Sequence, residues 1–340
     1  MGRSFSDYDE SDVRVRPGKS KRPRSKNRPT HDDAQFGMVV AKDRGRWGVV
    51  LDSGTRVQCT RARDLKRVSI EVGDRVGVVG DTSGAKDTLA RIVKREDRAS
   101  VLRRTADDTD PYERIIVANA ELLLIVVAAA DPPPRTGFVE RALIAAFVGG
   151  VTPVVCVTKS DLADPSEFER ELAAMGVGVL RTGVEDGVEA LRELIAGRVS
   201  ALIGHSGVGK STLVNRIVPE AQRETGKVSG VGKGRHTSTQ SVAFALPGGG
   251  WIIDTPGIRS FGLAHVSPEE IVQVFPDLEE AAQNCPRGCT HLGPPADPEC
   301  AWDELDPESP TGRRAGAVRG LLEALHANNE WELKQLDDKR

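Results

Sequence analysis

The sequence has no apolar run long enough to span a bilayer. Its longest, Leu122 to Ala130, falls far short of the ~20 residues a membrane helix needs and reads as a buried strand. The N-terminus lacks the apolar stretch of a secretory signal. Cysteine is scarce, five in 340 residues, which fits no disulfide framework in a chain this long. Three of the five cluster with a histidine, so the expectation is a metal site in a reducing compartment and a cytoplasmic, membrane-free protein. Aromatic residues make up only 4% of the chain. Any nucleic-acid contact is therefore expected to rest on phosphate and shape more than on base stacking. There is no overall excess of one charge, the formal net charge being −3. The distribution is uneven, however. Arg14, Arg16, Lys19, Lys21, Arg22, Arg24, Lys26 and Arg28 fall between Val13 and His31 with no acid among them. A stretch of this kind suits phosphate neutralisation with release of counterions.

A chain of this length predicts two or three domains. Residues 1–33 are polar and nearly free of large apolar side chains, and read as a disordered basic tail. Over 34–104, short alternating segments (Phe36–Val40, Trp47–Leu51, Arg56–Thr60, Arg75–Val79 and Leu89–Ile92) are separated by turn residues, which predicts a small β-barrel. In it Arg44, Arg46, Arg61, Arg63, Lys66 and Arg67 supply charge and Trp47 a stacking surface for RNA. Over 105–265, strand-length apolar runs alternate with helical stretches. The strands are Glu121–Ala129, Pro153–Thr158, Val177–Arg181, Ala201–Gly204, Val242–Leu246 and Trp251–Asp254. The helices are Phe138–Val148, Ser166–Met175, Val188–Ile195 and Lys210–Ile217. That pattern predicts an α/β domain with a mostly parallel sheet and helices on both faces. Residues 266–340 read as mostly helical, interrupted by a Cys/Pro/Gly loop at 284–301.

Gly204-His205-Ser206-Gly207-Val208-Gly209-Lys210-Ser211, followed by Thr212, follows an apolar strand and opens a helix, the context a phosphate-binding loop requires. Glycines let the backbone curl so that N–H groups face phosphate oxygens, and the helix N-terminus adds positive potential. Lys210 is expected on the β- and γ-phosphates and Ser211 on Mg²⁺. Asp254-Thr255-Pro256-Gly257 ends another apolar strand, placing Asp254 to hold Mg²⁺ through water and the Gly257 amide to sense the γ-phosphate. Thr158-Lys159-Ser160-Asp161 ends a third. A carboxylate there can accept two hydrogen bonds from guanine, and adenine would leave it unpaired; Thr158 stands where Asn is usual. This base-recognition segment precedes the phosphate loop, an order that implies a circularly permuted chain.

Cys285, Cys289, His291 and Cys300 offer three thiolates and an imidazole, a tetrahedral donor set suited to one structural Zn²⁺. Asp297 or Glu299 is the alternative fourth ligand. Cys59 and Cys156 lie in strand patterns and read as buried fillers.

Taken in order, the barrel, Lys-x-Asp, the phosphate loop, Gly234-Arg235-His236-Thr237, Asp254-Thr255-Pro256-Gly257-Ile258-Arg259 and the Cys/His cluster resemble the RsgA (YjeQ) family over roughly residues 35–330. The resemblance implies a circularly permuted P-loop GTPase domain with an N-terminal OB-fold barrel and a C-terminal zinc-binding domain. It implies a GTP hydrolase, cycling between GTP and GDP, that acts with the small ribosomal subunit and its rRNA in late maturation; the chain is expected to be a monomer. The 234–239 segment is similar to the family's first switch, with Thr237 or Thr239 closing on Mg²⁺ and the γ-phosphate. Ile258 has no group to orient water, so His236 is the catalytic candidate by resemblance. His205 sits at a variable position of the loop. The competing readings are a GTP-gated RNA-binding module with negligible hydrolysis, and an ATP-dependent P-loop enzyme.

Overall fold

The computed structural model describes residues 31–105, 112–219, 241–255 and 262–337. Nearly all of the expected N-terminal tail lies outside them.

Five strands close into a barrel: β1 (Gln35–Asp43), β2 (Arg46–Leu51), β3 (Arg56–Arg61), β4 (Arg75–Gly80) and β5 (Ala90–Arg95). The ring runs β1-β2-β3-β5-β4 and returns to β1, antiparallel except for the β3–β5 pair. This is the strand arrangement of an OB-fold. Period-two alternation drives it. On β3, Val57 and Cys59 are buried while Arg56 and Gln58 are exposed. A β-bulge near Val39 and Ala41 bends β1 enough to pair on both sides. Val39, Val49, Leu51, Val76, Val78 and Ile92 fill the interior. Trp47 is buried with them, its indole N–H donating to the Ile70 carbonyl at 3.0 Å, so it offers no stacking surface to RNA. That corrects the sequence expectation. The strand's alternation turns position 47 inward, and bulk decided the rest. Arg44, Arg46, Arg63, Lys66 and Arg67 are exposed, whereas Arg61 is half-buried, spanning to the Val68 carbonyl at 2.9 Å.

The barrel connects through a hairpin that the sequence reading did not name, β6 (Val101–Arg104) and β7 (Arg114–Ala118). Beyond it lie β8 (Leu122–Ala128), β9 (Thr152–Thr158), β10 (Gly178–Arg181), β11 (Val199–Ile203), β12 (Val242–Ala245) and β13 (Trp251–Asp254). Their spatial order is β10-β9-β8-β11-β13-β12, with only the edge strand β12 antiparallel. A pair between Ala41 and Val242 joins β12 to β1, so the core sheet runs into the barrel wall.

Among the described residues four helices cover the sheet: α1 (Thr136–Val148), α2 (Ser166–Ala174), α3 (Glu189–Ile195) and α4 (Lys210–Ile217). Strand β8 is buried along its whole length because both its faces are covered. Its alternate residues serve different cores. Leu123, Ile125 and Val127 face α1, α2 and the C-terminal helices. Leu122, Leu124 and Val126 face α3 and α4.

The C-terminal segment comprises α5 (Pro268–Gln273), α6 (Pro276–Ala282), a 3₁₀ turn (Ala301–Glu304) and α7 (Pro310–Asp337). Ser267 and Glu270 cap α5 reciprocally. Val318, Leu321, Leu322 and Leu325 form the buried stripe of α7. Phe275 meets Phe147 of α1 edge to face at 5.1 Å, and Arg314 pairs with Asp277 at 2.5 Å, so this segment shares one core with the α1 face of the sheet. Among the described residues no helix is long and apolar enough to cross a membrane.

Candidate functional site

Three strands of the parallel sheet deliver the predicted segments to the same edge. The phosphate loop follows β11, the Thr158–Asp161 segment follows β9, and Asp254 ends β13. Between β9 and β11 lies β8, whose following turn carries Asp131 and Pro132. In open α/β sheets this crevice at the strands' carboxyl ends is where ligands bind.

Gly209 caps α4 with φ +93°, a left-handed conformation that lets the backbone turn from loop into helix. Lys210, the first residue of that helix, is half-buried. Its Nζ donates to the carbonyls of Gly204 (2.6 Å) and His205 (2.7 Å), curling over the loop that it caps. Burial holds its pKa below the usual lysine value, and the Asp254 carboxylate pulls the other way. Ser206, Gly207, Ser211 and Thr212 are exposed and Val208 is buried beneath the loop.

Thr158 is buried, and its hydroxyl donates to the Val208 carbonyl at 2.6 Å. The Thr158–Asp161 segment is thus fastened to the glycine-rich loop, although 50 residues separate Thr158 from Val208. Lys159 adopts φ +54° and its Nζ donates to the Asp131 carbonyl, laying the lysine stem across the crevice. Asp161 is exposed, with the turn closed by a Leu162 N–H bond to the Lys159 carbonyl at 3.0 Å.

His205 packs against Phe138 of α1, the two rings tilted by 53° with their centres 4.4 Å apart. Burial lowers its pKa, with Arg135 and Lys210 adding to the effect, which favours the neutral ring. Sequence reasoning missed the loop after β10, Thr182 to Asp186, which touches Ser160 through a 2.5 Å hydrogen bond between the Ser160 hydroxyl and the Asp186 carboxylate. No motif marks that loop. The adjacency of β10 and β9 was the only available signal. His236, Thr237, Thr239 and Gly257 lie outside the described residues.

The second site forms in the C-terminal segment. The ligand atoms of Cys285, Cys289, His291 and Cys300 all lie within 4.8 Å of one another. His291 Nδ1 is 3.6 Å from the sulfurs of Cys285 and Cys289 and 3.9 Å from that of Cys300. A tetrahedral ion with Zn–S of ~2.3 Å and Zn–N of ~2.0–2.1 Å places such atoms ~3.6 Å apart, so the cluster is compatible with zinc. The surroundings orient the donors. The His291 ring stacks on Trp302 at 4.5 Å, the Ala301 N–H points to Cys285 Sγ at 3.3 Å, and Arg319 reaches Cys300 Sγ at 3.5 Å. Asp297, the alternative ligand, instead accepts from the N–H groups of Thr290 and Leu292, both at 3.1 Å, and pins the loop. Cys59 and Cys156 are buried in their strands, and burial pushes both thiols up to about 12.

A glycine-rich loop on the central strand of a parallel sheet, with the purine-side segment earlier in the chain, defines a circularly permuted P-loop GTPase. Comparison with known proteins agrees. The family model described as RsgA GTPase matches residues 95–264. The chain is 34% identical over 280 residues to the small ribosomal subunit biogenesis GTPase RsgA of Bacteroides fragilis, covering 77% of this chain and 88% of the relative. It is 36% identical over 281 residues to the protein of the same name from Gemmatimonas aurantiaca, covering 79% and 90%. Among solved structures, YjeQ from Thermotoga maritima superposes with a TM-score of 0.62 at 25% identity, covering 85% of this chain and 99% of that one. YloQ, described as a circularly permuted GTPase, gives 0.61 at 22% identity, covering 88% and 98%. The chain belongs to the RsgA GTPase family and is a GTP hydrolase.

Replacing Thr158 with valine keeps the shape and removes the donor, leaving the Val208 carbonyl without it in a buried setting. The variant is expected to lose ~1–2 kcal/mol of stability, measured by denaturant unfolding of the nucleotide-free protein.

Proposed function

We propose that this GTPase acts in assembly of the small ribosomal subunit, the role given in the names of its relatives. The observation that carries the nucleotide part is the Thr158–Val208 hydrogen bond, which fixes the purine-side segment on the phosphate loop.

In this reading Asp161 accepts the guanine N1–H and exocyclic amine, Lys159 lies along the base and Thr158 and Ser160 shape the turn between them. Gly204, His205, Ser206, Gly207, Val208 and Gly209 wrap the phosphates with backbone N–H groups, and Thr212 continues the helix that faces them. Lys210 exchanges the carbonyls of Gly204 and His205 for β- and γ-phosphate oxygens. Ser211 and Asp254 would hold Mg²⁺, which neutralises charge that develops on the transferred phosphoryl group. Asp254 favours the charged form of Lys210, which is in keeping with that placement. Thr237 or Thr239, with the Gly257 amide, reports the γ-phosphate. His236 orients the attacking water, a task Ile258 cannot perform.

Cys285, Cys289, His291 and Cys300 hold one structural zinc. Four protein donors leave no open position, so the ion contributes fold and not chemistry. The exposed arginines and lysine of the barrel, with the basic tail, contact rRNA phosphates. The division into tail (1–33), barrel (34–104), GTPase domain (105–265) and zinc-binding domain (266–340) follows from these roles. The protein works in the cytoplasm as a monomer. A GTP-gated RNA binder without turnover is the disfavoured alternative, because the family is one of hydrolases.

GTP turnover is expected to rise at least tenfold when purified small subunits are added, with the stimulation lost in His236→Ala. Absence of stimulation would remove the ribosomal role. Metal analysis of the purified chain is expected to give one zinc per molecule, and Cys300→Ser well under one. A wild-type chain without zinc would refute the metal assignment.

A further inference from the structure

Besides the Ala41–Val242 pair, the barrel has a second anchorage, at the place where the chain leaves it. Three segments meet there. They are the barrel loop 69–74, the connection between β5 and β6 that carries Arg98, and the turn between β7 and β8 that carries Asn119.

The Asp74 side chain is 0% exposed and that of Arg98 9%. Both Asp74 oxygens accept from one edge of the guanidinium, from Nε at 2.6 Å and from Nη2 at 2.7 Å. Nη2 also donates to the Ser69 carbonyl at 3.1 Å, and the Glu71 N–H donates to the Asp74 carboxylate at 2.7 Å. A fork of this kind is directional, and burial makes either charge costly to leave alone. The pair therefore fastens the outgoing connection back onto the barrel.

Asn119 fastens the GTPase core to both. Its amide nitrogen donates to the Gly73 carbonyl of the barrel at 3.0 Å, and its oxygen accepts the Ala99 N–H of the connection at 2.9 Å. Its φ is +54°, a left-handed conformation that asparagine adopts more readily than most residues. The preceding Ala118 N–H donates to the Val72 carbonyl at 3.0 Å. A Cβ on Gly73 would lie 1.9 Å from the Ala118 carbonyl oxygen, so only glycine allows this approach.

The contacts continue toward the nucleotide site. Just beyond the connection, the Val101 N–H donates at 3.0 Å to the carbonyl of Gly149, the residue that caps the C-terminal end of α1. The helix has 13 residues and is about 20 Å long. Ala142, Leu143, Ile144 and Ala146 along it are fully buried, so it shifts as a rod within a packed core. Its other end carries Phe138, whose ring lies against His205 of the glycine-rich loop.

We propose that Arg98 and Asn119 form a rigid joint through which a partner bound to the barrel acts on the phosphate loop, with α1 as the connecting rod. Both are positioning residues, since neither touches the nucleotide. The partner's identity rests on the proposed action with the small ribosomal subunit; the joint and its link to α1 do not.

The test uses the full-length chain as wild type, Asn119→Gly, Arg98→Lys and Arg98→Ala. Asn119→Gly leaves the left-handed backbone accessible and removes only the two side-chain bonds. Arg98→Lys keeps the charge and loses the fork. Basal GTP turnover and the GTP dissociation constant are expected to stay at wild-type values in all three. Turnover gained on saturating purified small subunits is expected to fall about fivefold or more in Asn119→Gly and Arg98→Ala, and less in Arg98→Lys. The Ala118 amide, which bridges the joint, is expected to exchange its hydrogen about tenfold faster in these variants, while amides of the barrel strands keep their protection. Coupling between sites is reciprocal. A non-hydrolysable GTP analogue is therefore expected to slow Ala118 exchange in wild type and to leave it unchanged in Asn119→Gly. Full stimulation in variants whose Ala118 amide exchanges faster would overturn the inference, as would basal and stimulated turnover falling in parallel. Should Arg98→Ala fail to fold, the other two variants decide in the same way. A wild type that small subunits do not stimulate would instead sink the ribosomal reading; the nucleotide-dependent exchange then decides the joint, and a wild-type Ala118 amide indifferent to the analogue overturns it.

Discussion

One buried hydrogen bond, from the Thr158 hydroxyl to the Val208 carbonyl, ties together the two halves of the nucleotide site. The bond is possible because β8 holds β9 and β11 on either side of it in a parallel sheet. Chain order is irrelevant to that adjacency. The Thr158–Asp161 segment can therefore precede the glycine-rich loop in the chain and still lie beside it. The requirement is only that both segments leave the same edge of the sheet. Burial of β8 on both faces secures this, since a slip in register would drive its side chains into the wrong core.

The permutation has a structural consequence beyond the site. Strand β13, which ends at Asp254, is followed closely in sequence by the C-terminal segment that begins with α5. That segment packs on α1, and the other end of α1 carries Phe138, whose ring packs tilted against His205 of the glycine-rich loop. The phosphate loop, α1 and the Cys/His segment thus share a continuous set of packed contacts, with Phe147 and Phe275 at the junction. The barrel joins at a different place, through the Ala41–Val242 pair on the sheet edge formed by β12.

Much of this architecture was legible in the sequence. The barrel strands, the core strands and the helices fall within a few residues of their predicted positions, because strict alternation and uninterrupted apolar runs are strong signals. The four metal-site residues converge as their chemistry suggested. What escaped were features set by tertiary contact. The β6–β7 hairpin has a mixed pattern and is stabilised by its neighbours. Trp47 reads equally as a surface platform or a core residue until the face of β2 is known. Arg216 and Asp186 look like ordinary surface charges in one dimension; only the fold brings their partners within reach. The role of Asp297 as the clamp of the Cys/His loop was likewise invisible, since any acid near cysteines invites reading as a ligand.

The most direct test is a crystal structure of the chain with a non-hydrolysable GTP analogue. The account predicts the Asp161 carboxylate on the Watson–Crick edge of the guanine, Thr158 still bonded to Val208, and Lys210 moved from the Gly204 and His205 carbonyls onto phosphate oxygens. A nucleotide bound with its base away from Asp161, or phosphates that leave Lys210 where it is, would contradict it.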